Sequence, residues 1–419
     1  MIYKDYKIGP TTLHTIKCDK FKLCHMEIIF RNEVVKEELI KRSMLFEMLT
    51  ENNKNYPERR KLILKLEDLY NSYIYSVTSK IGKQIMTSFC MDFIDPKYTD
   101  DNYLKEVLNL PFDLINNPNI INDEFDGKTF ELVKKRLELD IKSINEDPKK
   151  LSILECLKNM DPNSESSFSI NGTLEQLEKI TPANLYEFYE KTLNHDLIDI
   201  YIIGNLDMDK VAELIKEYSL FNVINNQKLE LYVNNKERKK INTKSGFSNI
   251  SQANLAISLN LTNASDFERD YVSRIYNVIL GGGSLNSKLY QHLRTENSLC
   301  YNVSSMYQKF DKLFIIHTAV NKENYQKTLK LIKKSLKEMS IGHFTEDDVN
   351  NAKEMISSSL NSSFDNPGRI VDNYLFQNIA DLEPLEIRKE KYKQVNKKDI
   401  INLAKKIKIN TIYLLSDGD

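Results

Sequence analysis

A run of three glycines, followed by an arginine and a tyrosine, is the part of this 419-residue sequence whose residue types and spacing could do chemistry. Gly281, Gly282 and Gly283 precede Arg294, and Tyr301 follows that arginine by seven positions. Glycine has no Cβ, so a second backbone can come close and the amides can stay free for a ligand chain. The guanidinium offers a rigid fork of donors, and tyrosine adds a hydroxyl to an apolar ring. Together these residues would suit a peptide held in an extended conformation.

A purely structural interpretation of the same residues is equally simple. The glycines could form a helix-to-helix turn, Arg294 could be one half of a surface ion pair, and Tyr301 could be a core ring. Spacing alone favours this ordinary interpretation, so the elements that position the residues have to be considered.

The overall composition excludes several classes of function. Lys and Arg number 59 against 60 Asp and Glu, which gives a net charge of −1 and no electrostatic argument for nucleic acid or an anionic membrane. The sequence lacks a secretory signal and a run of about 20 apolar residues, so we expect a cytoplasmic protein. The five cysteines show no CxxC spacing and are predicted to be buried small hydrophobes.

The chain contains an internal repeat. Two segments alternate apolar residues as strand faces do: Cys24, Met26, Ile28 and Phe30 in the first half, and Leu255, Ile257, Leu259 and Leu261 in the second, at an offset of 231 (255 − 24). Residues 71–79 and 297–305 then share five identities in nine positions, at an offset of 226 (297 − 71). Three matching segments in the same order indicate a duplicated domain.

The third match is a long amphipathic helix in each half. The apolar stripes are Phe130, Val133, Leu137 and Ile141 in the first half and Val349, Ala352, Ile356 and Leu360 in the second, and each helix runs towards a proline, Pro148 or Pro367. Strands with antiparallel-type alternation and helices in runs predict an α+β fold: two homologous domains, each a mainly antiparallel sheet with helices packed on one face. The predicted boundaries are 1–222 for the first domain, 223–245 for a polar linker and 246–419 for the second domain.

The segment 280–301 resembles a signature of the pitrilysin/insulinase-like inverted zinc peptidases, a family that includes mitochondrial processing peptidase. The resemblance implies that the two domains form half of a clamshell. It also implies that the second domain carries a glycine-rich loop, a helix ending in an arginine and a tyrosine seven residues later, here Arg294 and Tyr301. The nearest resemblance is to a zinc-less, non-catalytic bacterial branch.

The first domain departs from the active pattern of that family. Active members carry His-x-x-Glu-His on the first helix, where two imidazoles bind zinc and the glutamate acts as general base. Here the two histidine positions are Met44 and Met48, and only Glu47 is retained. Thioether sulfur is a poor zinc ligand, so the resemblance implies no metal and no catalytic residue in this chain. Met44 and Met48 are predicted to pack in the core.

No other local pattern replaces the missing ligands. The six histidines never come closer than 11 positions, whereas a helical chelate needs a spacing of three or four. Glu131 and Glu138 lie where the third ligand of the family would be sought, but one carboxylate does not make a zinc site. The segment that pairs with substrate in active members preserves Thr78 and Ser79 and has Tyr75 in place of asparagine, although an exposed edge could still add a peptide strand.

The resemblance implies a function as a non-catalytic, substrate-holding subunit of a heterodimeric zinc metallopeptidase. A zinc-bearing homologous subunit would be the partner and would hold the zinc, and an extended peptide would be bound by Arg294, Tyr301 and Gly281, Gly282 and Gly283. The alternative is a scaffold protein that keeps the fold without handling peptide. An active enzyme with unusual ligands is the least favoured reading, because no ligands cluster in the sequence.

Overall fold

The computed structural model describes residues 1–221 and 228–418, so part of the predicted linker, 223–227, lies outside the described residues. The strands are β1 Ile2–Ile8, β2 Thr11–Lys17, β3 Leu23–Glu33, β4 Tyr73–Ile81, β5 Gln84–Ile94, β6 Ile120–Ile121, β7 Glu124–Phe125, β8 Leu197–Gly204, β9 Asn242–Phe247, β10 Ala253–Leu261, β11 Val303–Gln308, β12 Leu313–Val320 and β13 Ile407–Ser416.

The helices are α1 Leu39–Glu51, α2 Arg59–Asp68, α3 Tyr103–Asn116, α4 Gly127–Glu146, α5 Pro148–Met160, α6 Leu174–Glu178, α7 Pro182–His195, α8 Met208–Tyr218, α9 Ser273–Leu280, α10 Lys288–Tyr290, α11 Tyr325–Ile341, α12 Glu346–Ser362, α13 Pro367–Ala380, α14 Leu385–Gln394 and α15 Lys397–Lys406. A π-helical turn, Glu268–Val272, leads into α9, and another, Gln291–Thr295, continues α10. Among the described residues, no helix is long and apolar enough to cross a membrane.

The chain forms two compact units that are not contiguous in sequence. The first contains Met1–Ile141, Ser169–Glu230 and Phe364–Asn378, and the second contains Lys142–Phe168, Leu231–Ser363 and Ile379–Asp419. Each unit thus includes one helix from the other half of the sequence, α13 in the first unit and α5 in the second. These are the helices that begin at the matching prolines, Pro148 and Pro367.

The first unit is built on a six-stranded sheet with strand order β1-β2-β8-β3-β5-β4. Neighbouring strands are antiparallel except β2 and β8, which are parallel. The alternating residues of β3 predicted to share a face join the main core of the unit, together with residues of α1, α3, α4, α7 and α8. The helices therefore cover one face of this sheet, as predicted.

The second unit repeats this plan with a five-stranded sheet in the order β11-β12-β10-β13-β9. Its only parallel pair among the described strands is β13 with β9, which matches β8 with β2 in the first unit. The predicted helical stripes are also confirmed. The buried residues of α4 are the four predicted for the first half, and those of α12 are the four predicted for the second.

The structure adds a helix on the opposite face of each sheet, which the sequence pattern did not predict. In the second unit, Cys156 of α5 packs with Ala256, Tyr413 and Leu415 of the sheet. In the first unit, α13 lies on the sheet through polar contacts, because Asn378 donates to the hydroxyl of Tyr201 at 2.8 Å. The duplicated α+β architecture is confirmed, with this one addition on each sheet.

Candidate functional site

Helix α1 carries the positions where the family holds zinc, and both are apolar and buried. Met44 is 0% exposed and Met48 is 2% exposed, and both belong to the main core of the first unit. They sit among Leu45, Phe46 and Leu49, so α1 is buried almost all round. The predicted packing role of Met44 and Met48 is confirmed, and their thioethers are in contact with hydrocarbon rather than with a cleft.

Glu47, the one retained residue of the motif, is half-buried, and few favourable interactions offset the burial of its carboxylate. Burial raises the pKa of its carboxyl group to about 7, the nearby Arg136 opposes that rise, and the negative charges of Asp140 and Glu51 add to it. Within the described part of the chain its buried Oε2 atom has no hydrogen-bond partner. A carboxyl group with a pKa near neutrality suits a general base. The neighbouring positions on α1 are the thioethers of Met44 and Met48, which are poor zinc ligands.

One turn further along α1, an ion-pair cluster that no sequence pattern indicated links the helix to its neighbours. The buried carboxylate of Glu51 accepts hydrogen bonds from Arg136 of α4 and forms an ion pair with Arg59 of α2 at 2.5 Å. Glu131 of α4 is exposed, and Glu138 is half-buried. In the described residues, α1 and α4 bring together no three His, Cys, Asp or Glu donor atoms at metal-binding distance.

The three glycines end helix α9 in the second unit. The amides of Gly281 and Gly282 both donate to the Asn277 carbonyl, at 2.9 and 2.7 Å, and the Gly281 carbonyl accepts from the Ser305 amide of β11 at 3.0 Å. The expectation that the amides stay free is therefore wrong for Gly281 and Gly282. A Cβ on Gly282 would lie 2.9 Å from the Asn277 carbonyl oxygen, so this position requires glycine. Gly283 has a φ of +100° and is exposed.

Arg294 and Tyr301 are brought together, as the spacing of the motif suggested. The guanidinium carbon lies 4.5 Å from the centre of the Tyr301 ring and 5.2 Å from that of Tyr290. Its Nη1 atom donates a hydrogen bond to the Tyr301 backbone carbonyl. Tyr301 is 81% exposed, so the core-ring alternative is wrong for this residue. The pair therefore presents a cation stacked on an aromatic face to solvent, just before β11 begins.

Strand β4 forms one edge of the six-stranded sheet, where the family resemblance placed the substrate-pairing segment. It pairs with β5 along its whole length, and Thr78 hydrogen bonds across to Thr87 at 3.1 Å. Tyr75 stacks on Tyr73 with ring centres 5.3 Å apart. Tyr73 and Val77 are exposed, so one face of this edge strand is accessible, whereas Ile74 is buried in the core.

The fold and these sites define a class: a duplicated α+β protein whose first helix carries Met44 and Met48 at the positions where inverted zinc peptidases carry zinc-binding histidines. A family model described as the peptidase M16 inactive domain matches residues 179–356. The predicted resemblance to this family is confirmed: over this stretch the chain is similar to the inactive domain of M16 peptidases.

Individual proteins are similar to this chain over nearly all or about half of its length. The chain is 26% identical over 415 residues to a protein named probable inactive metalloprotease YmfF from Bacillus subtilis, with 98% of this chain and 96% of that protein covered. It is 22% identical over 204 residues to a protein named uncharacterized zinc protease YmxG from the same species, a match covering 47% of each.

Two solved structures share the fold. A conserved protein from Enterococcus faecalis superposes with a TM-score of 0.93 at 24% identity, over 99% of this chain and 98% of the other. A peptidase M16 inactive domain from Pseudomonas fluorescens superposes with a TM-score of 0.81 at 14% identity, over 100% and 98%.

Proposed function

We propose that this chain is the substrate-holding, non-catalytic subunit of a heterodimeric zinc metallopeptidase that processes peptides or small unfolded proteins. The observation that carries the proposal is the Arg294–Tyr301 pair, in which a guanidinium rests on a tyrosine ring that is 81% exposed. Exposing an aromatic ring to water is unfavourable for a folded protein. Such an exposed ring is expected where the surface binds a partner molecule.

The chemistry of the pair fits an extended peptide. Among the described residues, only the Tyr301 carbonyl accepts a hydrogen bond from the Arg294 guanidinium, so other N–H donors remain for peptide carbonyls. The Tyr301 hydroxyl and ring add a polar and an apolar contact. Gly281 and Gly282 would act by fixing the loop before α10, since their amides are used within the chain, and Gly283 would offer the exposed backbone.

Catalysis would belong to the partner. The buried Met44 and Met48 leave α1 without imidazoles, so a zinc-bearing homologous subunit would supply the metal, the activated water and the general base. Such a division of roles would make this chain inactive alone and would make peptide hydrolysis depend on the pair of subunits. We place the complex in the cytoplasm, as the sequence led us to expect.

A scaffold function is the second candidate, and one observation favours it. Arg294 is already hydrogen-bonded to the backbone of Tyr301, and the Gly281 and Gly282 amides already have acceptors, so the whole motif can be explained as a rigid connection between α9 and β11. In this case the chain would bind the zinc-bearing homologue and make no contact with substrate.

The test is reconstitution with a zinc-bearing homologue from the same genome. Cleavage of fluorescently labelled casein is measured for each subunit alone and for the mixture. We expect cleavage to rise on mixing, and we expect Arg294→Ala and Tyr301→Ala to reduce the gain about 10-fold or more while copurification is unchanged. Tyr301→Phe, which keeps the ring, should retain part of the gain.

Matched controls come from the first unit. Arg60 and Tyr98 are both exposed, and Arg60→Ala and Tyr98→Ala should leave the gain unchanged. If the complex forms and cleavage rises equally with every variant, the scaffold function replaces the substrate-holding one. If no complex forms with the homologue, both candidate functions are wrong.

A further inference from the structure

A compact group of nitrogen, oxygen and sulfur donors lies on the sheet of the first unit, on the face away from α1. In β3, Cys24 and Met26 point into the main core, so the intervening His25 and Glu27 point to the other face. Strand register then places Cys90 of β5 directly opposite Glu27, and Asp92 directly opposite His25. Four side chains with metal-binding chemistry therefore meet on two neighbouring strands.

The distances within this group are short. One donor atom each from His25, Glu27 and Cys90 lies within 4.8 Å of the other two. The His25 Nε2 atom is 2.8 Å from a Glu27 oxygen, and the His25 Nδ1 atom is 2.5 Å from an Asp92 oxygen. His25, Glu27 and Cys90 are 3%, 6% and 3% exposed.

We propose that His25, Glu27 and Cys90 bind a divalent transition metal ion of the Zn²⁺ type. Imidazole nitrogen, thiolate and carboxylate are the three protein donors that zinc takes, and here each is present once and converges on the others. The geometry gives Asp92 a separate role. Its carboxylate accepts from the His25 Nδ1–H and leaves Nε2 directed at the Glu27 carboxylate, which is the carboxylate–histidine–metal arrangement that orients a ligating ring.

Helix α13 brings its backbone and a further oxygen donor close to this group. Helix α13 covers this face, and a Cβ built on Gly368 would lie 3.5 Å from His25 Nε2, so the helix comes close to the ring at a position that carries no side chain. Asp372 of α13 is exposed and interacts electrostatically with both Glu27 and His25. A metal held here would have its open coordination position towards α13, where the Asp372 carboxylate or a water could complete four ligands.

This site is distinct from the zinc position of the family and independent of the proposed function. Met44 and Met48 lie in the core on the other face of the same sheet. A metal at His25, Glu27 and Cys90 would link β3 to β5 beneath α13, and it would do so whether or not the second unit binds peptide. The sequence spacing concealed the site because His25 and Cys90 are 65 positions apart (90 − 25).

The test is Co²⁺ titration of the full chain by absorbance, after removal of bound metal with a chelator. A thiolate ligand gives Co²⁺ a charge-transfer band that imidazole and carboxylate do not give. We expect one equivalent of Co²⁺ to produce this band, one equivalent of Zn²⁺ to abolish it, and Zn²⁺ alone to raise the melting temperature. Cys90→Ser should remove the band, and Asp92→Asn should weaken Co²⁺ binding about 10- to 100-fold.

Cys156 provides the matched control, because it is a buried free cysteine in the second unit. Cys156→Ser should keep the band and the Zn²⁺-dependent melting shift. The proposal is overturned if the wild-type chain shows no band while its circular dichroism spectrum shows that it is folded. This outcome does not depend on the folding of any variant. It is equally overturned if the band survives Cys90→Ser. Loss of casein cleavage in the reconstituted pair would bear on the proposed function only, since that assay does not read this site.

Discussion

Glu47→Gln is expected to stabilise the protein at pH 8 and to have little effect below about pH 4.5. Burial raises the pKa of Glu47 to about 7 from an ordinary value of 4.5, so the folded protein holds the proton more tightly than the unfolded chain does. Between these two values the folded state binds more protons, and stability therefore falls as pH rises. Above about pH 7 the whole penalty of an ionised, half-buried carboxylate is present.

The magnitude follows from the same two pKa values. The interval between them is about 2.5 pH units, which at about 1.4 kcal/mol per pH unit sets an upper bound of about 3.5 kcal/mol. Partial exposure of the side chain screens the charge, so we expect a gain of about 1–2 kcal/mol from Glu47→Gln at pH 8. For a domain of this size that corresponds to a rise in melting temperature of about 2–8 °C.

The assay is thermal unfolding by circular dichroism at pH 4.5, 6 and 8, with wild-type and variant side by side. Glu131→Gln is the matched control, because Glu131 is an exposed glutamate on the facing helix α4 and its removal should change the melting temperature equally and slightly at every pH. A gain from Glu47→Gln that is the same at pH 4.5 and pH 8 would refute the reasoning, and so would a loss of stability at pH 8.

Three further substitutions test the packing that holds the candidate sites. Met44→Ala should cost about 2–5 kcal/mol in urea unfolding, because the side chain fills a closed core position. Gly282→Ala should cost about 1–3 kcal/mol, since the new Cβ would press on the Asn277 carbonyl, and thermal melts would show it. Asp196→Ala should cost about 3–5 kcal/mol in urea unfolding, because it leaves the buried Arg42 guanidinium, now paired at 2.7 Å, without its partner.

Each of these substitutions has a control in the chain. Met355 is exposed on α12, so Met355→Ala should change stability by less than about 0.5 kcal/mol. Gly127 has open space around its Cβ position, and Gly127→Ala should be neutral or slightly stabilising. Asp209 forms an exposed ion pair with Lys4, and Asp209→Ala should have little effect. If a control substitution lowers stability as much as its buried counterpart does, the packing argument for that site is contradicted.

Much of the fold was predictable because it rests on short-range periodicity. The alternation in β3 and β10 and the stripes of α4 and α12 depend on residues two to four positions apart, and the structure buries the predicted residues. The placing of α5 and α13 was not predictable in this way. Each helix covers the sheet built from the other half of the sequence, and the apolar pattern within a helix does not encode which sheet it packs on.

The candidate site also has features that the sequence predicts and features that it does not. Substitution of both imidazole positions by Met44 and Met48 was visible in the residue types, and so was the seven-residue spacing that brings Arg294 to Tyr301 across one helical end. The use of the Gly281 and Gly282 amides was not visible, because their acceptor is a backbone carbonyl whose position depends on how α9 ends. Residue types thus indicated the motif, and backbone geometry decided which of its groups are free.

The sequence by itself therefore determined the duplication, the helix and strand faces, and the absence of a zinc motif on α1, since each of these is written in neighbouring residues. Only the tertiary structure decided the environment of Glu47, where Arg136 comes from 89 positions away (136 − 47), and the meeting of His25 with Cys90. The physical reason is that pKa values and metal sites depend on distances of a few ångströms in space. Strand register and helix packing set those distances, and spacing along the chain does not encode them.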